Sequence, residues 1–313
     1  MKKEKTSVPS QKQTYNSESL QQIEDARSTF WSSYKRHNTL KLIVMMICLT
    51  AIIVAFIVLP QVIKGNQGLQ SGLTIVIALL ALGGTYGYSV FVRRKFDKKM
   101  KEYFQLYYNC VNKYVFDTEG FSNVELQEPG KITLEEFNEC KLYKDVIEAG
   151  SRGLTKFSYK DIEMSIVDCA GNVKAEKRVV PVFVGKMVRA KASYKGELPV
   201  IVYLKGNDRS LPPTNVEGIK KVSEDEKMVI YSEYKDVNKV LNSHVMKAIN
   251  NITLNKVLVD LAITIYGEKV FVMMGYDDPL MVLPLQSEFN QKPTELFKGD
   301  IEAVAKLIEE LNK

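Results

Sequence analysis

Residues 42–63, LIVMMICLTAIIVAFIVLPQVI, form a run of 22 residues without a charged side chain. A second uncharged run, LTIVIALLALGGTYGYSVFV, covers residues 73–92. Each has the roughly 20 residues that a helix needs to cross ~30 Å of hydrocarbon, where a helix satisfies its own backbone hydrogen bonds. Two buried core helices are the alternative, but core helices of this length rarely lack every charge. The runs therefore predict a transmembrane hairpin over residues 42–92.

The charges beside these runs predict the orientation of the hairpin. The link at residues 64–72, KGNQGLQSG, carries one lysine, whereas both outer flanks are basic. The positive-inside rule then places the N- and C-termini in the cytoplasm of a two-pass protein of the cell membrane. A signal peptide is the competing interpretation of the first run, but about forty mostly polar residues precede it and no A-x-A-like site follows. The flanking basic residues are Lys35, Arg36 and Lys41 before the first run and Arg93, Arg94, Lys95, Lys98, Lys99 and Lys101 after the second.

The basic cluster after the second run has two possible roles. It can serve topology alone, or it can also attract anionic lipid headgroups. In the second run itself, Gly83 and Gly87 form G-x-x-x-G, a spacing that lets two membrane helices approach closely. They predict helix packing in the membrane, either against the first run or between two copies of the chain.

The segments outside the hairpin divide by their polarity. Residues 1–16 are polar and predict a disordered tail. Residues 17–41 predict a juxtamembrane amphipathic helix, with Trp31 as an anchor at the membrane interface or with the helix packed on the soluble domain. Residues 93–116 carry apolar side chains every three or four positions and predict a stalk helix.

Residues 117–313 predict a cytoplasmic domain with a mostly antiparallel sheet and flanking helices, so the fold class is α+β. Residues 117–131 are expected to be a loop, and Thr133 to Glu136 form a capping box that opens a short helix. The motif Gly150-Ser151-Arg152-Gly153 is expected to break that helix. Further predicted elements are strands over residues 159–169, 178–193 (bent at Gly185), 199–204 and 227–232, a helix over 236–253, a hairpin over 257–266 and 269–274, and a helix over 301–311 capped by Asp300.

No motif in the chain predicts a reaction, a cofactor or a metal. No phosphate-binding glycine precedes Gly185-Lys186 at the required spacing, and no G-x-S-x-G elbow occurs. His244 is expected to be structural, and the acidic pairs lack EF-hand spacing. The four cysteines form no C-x-x-C pair, which favours a reducing compartment. Residues 102–313 carry a net charge of −4, so no nucleic-acid partner is expected.

Three short stretches give the chain a family resemblance. They are FSYKDIE at residues 157–163, FVGKM at 183–187, and MVIYS at 228–232 with the helix up to Ile252. In this order the chain resembles the bacterial domain-of-unknown-function family three-one-three-seven, over most of residues 40–313. The family's F-x-G-x-F/L element ends here in Met187, which departs from its pattern. The resemblance implies two membrane helices and a cytoplasmic domain, and it implies no established activity.

The sequence therefore predicts a membrane-anchored cytoplasmic binding or regulatory module that acts on an unknown protein partner. The alternatives are a membrane-bound enzyme with an unrecognised site and a homo-oligomeric scaffold assembled through Gly83, Gly87 and the stalk.

Overall fold

The computed structural model describes residues 17–63, 65–127, 130–176, 178–205, 216–233, 237–254, 257–276 and 289–313. These residues fall into two compact units. The first contains the described residues up to Tyr107 together with Phe289, and the second contains the remainder. The tail predicted over residues 1–16 lies outside the described residues.

Two long helices make up the first unit. Helix α1 is Ser17–Val62, and helix α2 is Gln67–Val115, whose last turns belong to the second unit. The Asn66 side chain accepts a hydrogen bond from the Leu69 backbone N–H at 3.1 Å and so caps the start of α2. Both helices are long and apolar enough to cross a membrane, and only 6% and 0% of their most apolar 18-residue windows are buried.

The segment predicted as a separate juxtamembrane helix is the first part of α1. Phe30 is buried, with its ring centroid 5.8 Å from that of Phe96 and 6.2 Å from that of Tyr103, both on α2. The Trp31 ring instead stacks on Tyr34 at 5.5 Å. Residues 17–41 therefore continue into the first apolar run without a break, and their aromatic side chains pair α1 with α2. Helices α1 and α2 run without a break through the predicted limits of the membrane hairpin, residues 41/42 and 92/93. Those limits therefore stay a prediction.

A nine-stranded antiparallel sheet dominates the second unit, which confirms the α+β class. Its strand order is β1-β2-β3-β4-β9-β8-β5-β7-β6. The strands are β1 Phe121–Leu126, β2 Val146–Tyr159, β3 Ile162–Ala175, β4 Arg178–Lys191, β5 Val200–Leu204, β6 Lys220–Glu224, β7 Met228–Ser232, β8 Leu258–Tyr266 and β9 Lys269–Tyr276. The helices are α3 Leu134–Asn138, α4 Ser243–Asn250 and α5 Lys292–Leu311, with a 3₁₀ turn at Val237–Lys239.

The two faces of the sheet are covered by different parts of the chain. Phe137 of α3 and Leu142 pack against one face, beside Met187, Phe271 and Met273. The other face meets α5 and the end of α2. There the Phe116 ring lies 4.5 Å from Phe157, and the Asn112 amide donates a hydrogen bond to the Thr155 hydroxyl at 2.8 Å. The central part of the sheet is thus buried on both sides, and charged residues on its faces need partners.

Several local predictions are confirmed. The capping box at Thr133 is present, with the Glu136 N–H bonded to the Thr133 hydroxyl and the Thr133 N–H bonded to the Glu136 carboxylate. The β8–β9 hairpin closes through Gly267 and Glu268, which both have positive φ, as a two-residue turn of this type requires.

Other local predictions are wrong. Residues 117–131 contain β1, and residues 150–153 lie inside β2, where Gly153 has positive φ and sits at a register shift. The predicted helix over residues 236–253 is shorter because Asn242 is the N-cap of α4. Asp300 lies in the middle of α5 and does not cap it, since that helix begins at Lys292. The register of β4 with β3 is continuous at Gly185, and the bend predicted there stays a prediction.

Candidate functional site

Three charged residues form a row across neighbouring strands on the sheet face that α5 covers. Arg152 of β2 is the register partner of Asp168 of β3, and Asp168 is the partner of Lys186 of β4. Register partners in a sheet project from the same face. The row therefore places a carboxylate between two cations.

Asp168 and Lys186 form a buried ion pair. The Lys186 side chain is 4% exposed and the Asp168 side chain 13% exposed. The Lys186 ammonium donates a hydrogen bond to Asp168 Oδ1, and the Tyr108 hydroxyl donates one to Oδ2 at 2.6 Å. Both carboxylate oxygens thus have a donor, as a buried charge requires.

Lys186 also contacts an aromatic ring. Its Nζ lies 4.5 Å from the centre of the Phe297 ring on α5, an arrangement in which the ring face attracts the cation. Burial lowers the pKa of Lys186, and the charge of Asp168 opposes that shift. Arg152 is close enough to lower the pKa further.

A second polar contact lies beside the pair. The Tyr276 hydroxyl at the end of β9 donates a hydrogen bond to Asp300 Oδ2 at 3.2 Å. Burial raises the pKa of Asp300 to about 6. Tyr276 is buried as well, and its pKa is raised by burial and by Asp300.

A pocket of about 310 Å³ opens beside the charged row. Gly150, Ala170 and Val184, which are register partners in β2, β3 and β4, form a parallel row of small side chains. Both rows line the pocket, together with Tyr276. The small side chains leave space that larger residues would fill.

Gly185 explains why the pocket forms at this place. Along β4, the pairing with β9 begins at Gly185, whose partner is Gly275. A Cβ at Gly185 would overlap the Met274 carbonyl oxygen and lie 2.9 Å from its carbon. Glycine here permits the close approach of β9, while residues 178–184 continue beyond that pairing. The pocket lies where β4 and β3 extend past β9.

The residue types at this site are two cations, one carboxylate and small apolar side chains. Among the described residues, no group of three or more His, Cys, Asp or Glu side chains is placed to hold a metal ion. A concave site with a mainly apolar floor and a few polar groups has the general composition of a small-molecule site. His244 is exposed at the start of α4 and lies outside this pocket.

The site residues predicted from the sequence all lie on α2. A Cβ at Gly83 or at Gly87 would meet no heavy atom within 4 Å in the part of the chain that the structure describes. Arg93, Arg94, Lys95, Lys98 and Lys101 are exposed and Lys99 is half-buried. The Arg93 guanidinium lies 3.9 Å from the Asp97 carboxylate, with both side chains largely exposed. Whether these residues pack helices or bind lipid stays a prediction.

Sequence reasoning missed the residues of the pocket. Arg152, Asp168, Lys186 and Tyr276 come from four strands, and Tyr108, which donates a hydrogen bond to Asp168, comes from the end of α2, so no short motif unites them. The available signal was a charged side chain in an apolar strand segment: Lys186 lies within residues 182–188, VFVGKMV. Only the register of β2, β3 and β4 shows that three such residues are neighbours.

Comparison with known proteins gives one distant structural likeness. No protein-family model matches the chain, and no curated protein matches it. The chain is similar to the crystal structure of the mycobacterial trehalose monomycolate transport factor A, TtfA, with 11% sequence identity and a TM-score of 0.35. The similarity covers 65% of this chain and 96% of that one. Nothing about the activity of this chain follows from a likeness at this level.

Proposed function

We propose that this protein is a two-pass membrane protein whose second unit is a cytoplasmic binding or regulatory module. The observation that carries the proposal is the exposure of the apolar runs in α1 and α2, where at most 6% of the most apolar windows is buried. A core helix of a soluble protein would bury such a run, since exposed apolar surface of this extent is unfavourable in water. Lipid supplies the missing apolar environment.

The orientation is part of the same proposal. Six basic residues follow the second run and three precede the first, whereas the link between the runs has one lysine. This asymmetry supports cytoplasmic N- and C-termini. The six residues from Arg93 to Lys101 would then lie at the inner surface, where anionic headgroups attract them.

Membrane extraction and site-specific labelling test this function. After a wash with alkaline carbonate, the full chain is expected to stay in the membrane pellet. In intact cells, a membrane-impermeant maleimide should label the Gln67→Cys variant above the wild-type level, because residue 67 lies in the link. The Lys313→Cys variant should be labelled only after permeabilisation. Release by carbonate contradicts the anchor, and labelling of residue 313 in intact cells contradicts the orientation.

The binding role is supported by the pocket beside the charged row. A folded sheet with a pocket beside a buried ion pair suits recognition of a ligand or partner. We include membership of family three-one-three-seven in this proposal, on the stretches at residues 157–163, 183–187 and 228–232. The structure of a family member with the strand order found here would support it, and a different order would count against it.

A homo-oligomeric scaffold is a second candidate. It is favoured by the open surface at Gly83 and Gly87, where no heavy atom of the described chain lies within 4 Å of the added Cβ. A second copy could approach closely there. Gly83→Ile with Gly87→Ile should reduce the oligomer size in mild detergent, whereas Gly72→Ile, at an equally open position of α2, should not. No change in the double variant removes this candidate.

A further inference from the structure

The hydroxyl and charged side chains that line the pocket beside the charged row already have partners within the protein. We propose that this pocket binds a small, uncharged, apolar molecule of about the size of one aromatic ring, which lies on the row formed by Gly150, Ala170 and Val184. The proposal rests on the binding role given above and names the class of ligand. It does not depend on the two helices crossing a membrane.

The two buried charges of the lining neutralise each other. The Lys186 ammonium donates a hydrogen bond to Asp168 Oδ1, and the Tyr108 hydroxyl donates one to Oδ2. The face of the Phe297 ring also lies against the ammonium and attracts its charge. A charged ligand could pair with either side chain only by displacing its present partner, which would leave a buried charge uncompensated.

The other polar side chains of the described lining are engaged too. The Ser151 hydroxyl accepts a hydrogen bond from the Ile132 N–H at 2.8 Å and donates one to the Ile132 carbonyl oxygen at 3.3 Å. The Tyr276 hydroxyl donates a hydrogen bond to Asp300, and Arg152 has an interaction partner of its own. Because these groups are already matched, a charged ligand would lose its hydration without gaining a matched group in return.

The surface that remains for a ligand is small and apolar. Gly150 has no side chain, Ala170 has one methyl group, and Val184 is 38% exposed. Cys169 also lines the pocket, and burial raises the pKa of its thiol, which therefore stays uncharged at neutral pH. An apolar molecule that covers this row removes apolar surface from water and leaves the polar contacts around it in place.

The volume of the pocket limits the size of the ligand. About 310 Å³ is at the lower end of the roughly 300–1,000 Å³ of small-molecule sites. The space exists because the row consists of small residues, and a side chain larger than valine at position 184 would project into it. A ligand of about one substituted ring therefore matches this pocket.

Photolabelling of the full-length protein in lipid nanodiscs tests the proposal. The probe is 3-phenyl-3-(trifluoromethyl)diazirine, an uncharged molecule that loses nitrogen in light and leaves a carbene that inserts into neighbouring bonds. Its 4-carboxylate is the charged control of similar shape. Equilibrium dialysis sets the same free concentration of both compounds, and mass spectrometry identifies the labelled residues.

The neutral probe is expected to label peptides that contain residues 150, 170 or 184, and an excess of benzotrifluoride should suppress this labelling. The carboxylate should label the same peptides less by about tenfold or more, because its charge meets no unmatched group. Labelling by the carboxylate that equals or exceeds that by the neutral probe, or labelling that benzotrifluoride does not suppress, overturns the proposal.

Matched variants locate the site. Val184→Phe fills the pocket from β4, and Val124→Phe makes the same change on β1, outside the pocket lining, where the side chain is 39% exposed. Val184→Phe should reduce the labelling of residues 150 and 170 by about tenfold or more, while Val124→Phe should be labelled as the wild type is. Thermal unfolding shows whether each variant folds. Val184→Thr, which keeps the shape but adds a hydroxyl, should weaken labelling to a smaller extent and serves if Val184→Phe does not fold.

The outcomes separate this proposal from the functions proposed above. Undiminished labelling of a folded Val184→Phe protein contradicts the site. Stronger labelling by the carboxylate keeps the binding role but removes the apolar ligand, whereas no labelling of the pocket by either probe removes the pocket from the binding role as well. Carbonate extraction and maleimide labelling should be the same for the wild type and the variants, whichever way the photolabelling turns out.

Discussion

At the scale of single residues, loss of the ion pair between Asp168 and Lys186 should strongly lower the free energy of unfolding of the second unit. Asp168→Asn keeps the shape of the side chain but leaves the buried Lys186 ammonium without a counter-charge. Breaking such a pair from one side costs about 3 kcal/mol or more. Unfolding can be followed with a thiol-reactive dye, because Cys140 and Cys169 are buried in the second unit.

The expected result is a fall in the unfolding temperature of about 6–12 °C, since 1 kcal/mol corresponds to about 2–4 °C in a domain of this size. Glu163→Gln is the matched control: it lies on the same strand, and its side chain is 80% exposed and 3.9 Å from Lys191. That control should change the unfolding temperature little. Equal effects of the two variants would show that Asp168 has no special role.

Asp300 predicts how stability depends on pH. Burial raises its pKa from 3.8 to about 6, so the folded protein holds this proton more tightly than the unfolded chain does. The protonated Asp300 carboxyl therefore adds to the free energy of unfolding below about pH 4, and this contribution is lost as the pH rises through about 6. A difference of about two pKa units corresponds to at most about 3 kcal/mol.

Asp300→Asn should remove this pH dependence, because the amide stays neutral. At pH 8 the variant is expected to unfold at a higher temperature than the wild type, and at pH 4 the difference should shrink. Glu310→Gln, near the C-terminal end of the same helix, serves as the control. A variant that loses stability equally at both pH values would contradict the raised pKa.

At the scale of elements, the pairing of β4 with β9 depends on one glycine. Gly185→Ala places a Cβ against the Met274 carbonyl, so the strands must separate or shift. Overpacking of this kind costs about 1–3 kcal/mol. Gly150→Ala is the control, because a Cβ there meets no heavy atom of the described chain within 4 Å. The dye assay should show a lower unfolding temperature for Gly185→Ala alone.

The strands that the sequence predicted lie inside the sheet, whereas β1 and β6, which it did not predict, are the edge strands. The β8–β9 hairpin is central, so its inward residues are apolar and its turn needs positive φ at Gly267 and Glu268. Strands β1 and β6 are the two edges of the sheet, and most of their residues are exposed. A strand with little buried surface has little apolar pattern, so the sequences FSNVEL and KKVSE do not differ from those of loops.

The candidate pocket could not be predicted for a different reason. Its residues are set side by side by strand register, and a shift of one residue would turn each side chain to the opposite face. The register of β2 also depends on the irregularity between Arg152 and Thr155, where Gly153 takes positive φ. The sequence shows Gly150 to Gly153 as a break, which is the opposite of the strand that places Arg152 beside Asp168.

At the scale of the whole molecule, one consequence of the proposed anchor is that its orientation should depend on where the charges lie. The link between the helices carries one lysine, and the cluster from Arg93 to Lys101 carries six basic residues. Each basic residue resists transfer to the outer side. Replacing the six by glutamine, together with Asn66→Lys, Gln67→Lys and Ser71→Lys in the link, reverses that asymmetry around the second helix.

In this variant, a substantial fraction of the chains should expose the C-terminus outside the cell. The measurement is the labelling of Lys313→Cys by the impermeant maleimide in intact cells, which should rise from the background to a clear signal. The matched control carries the same number of substitutions at exposed positions of the second unit, so its labelling should stay at background. Unchanged labelling in the reversed variant would mean that the basic cluster does not orient the chain, and its six charges would then need another role, such as contact with anionic lipid.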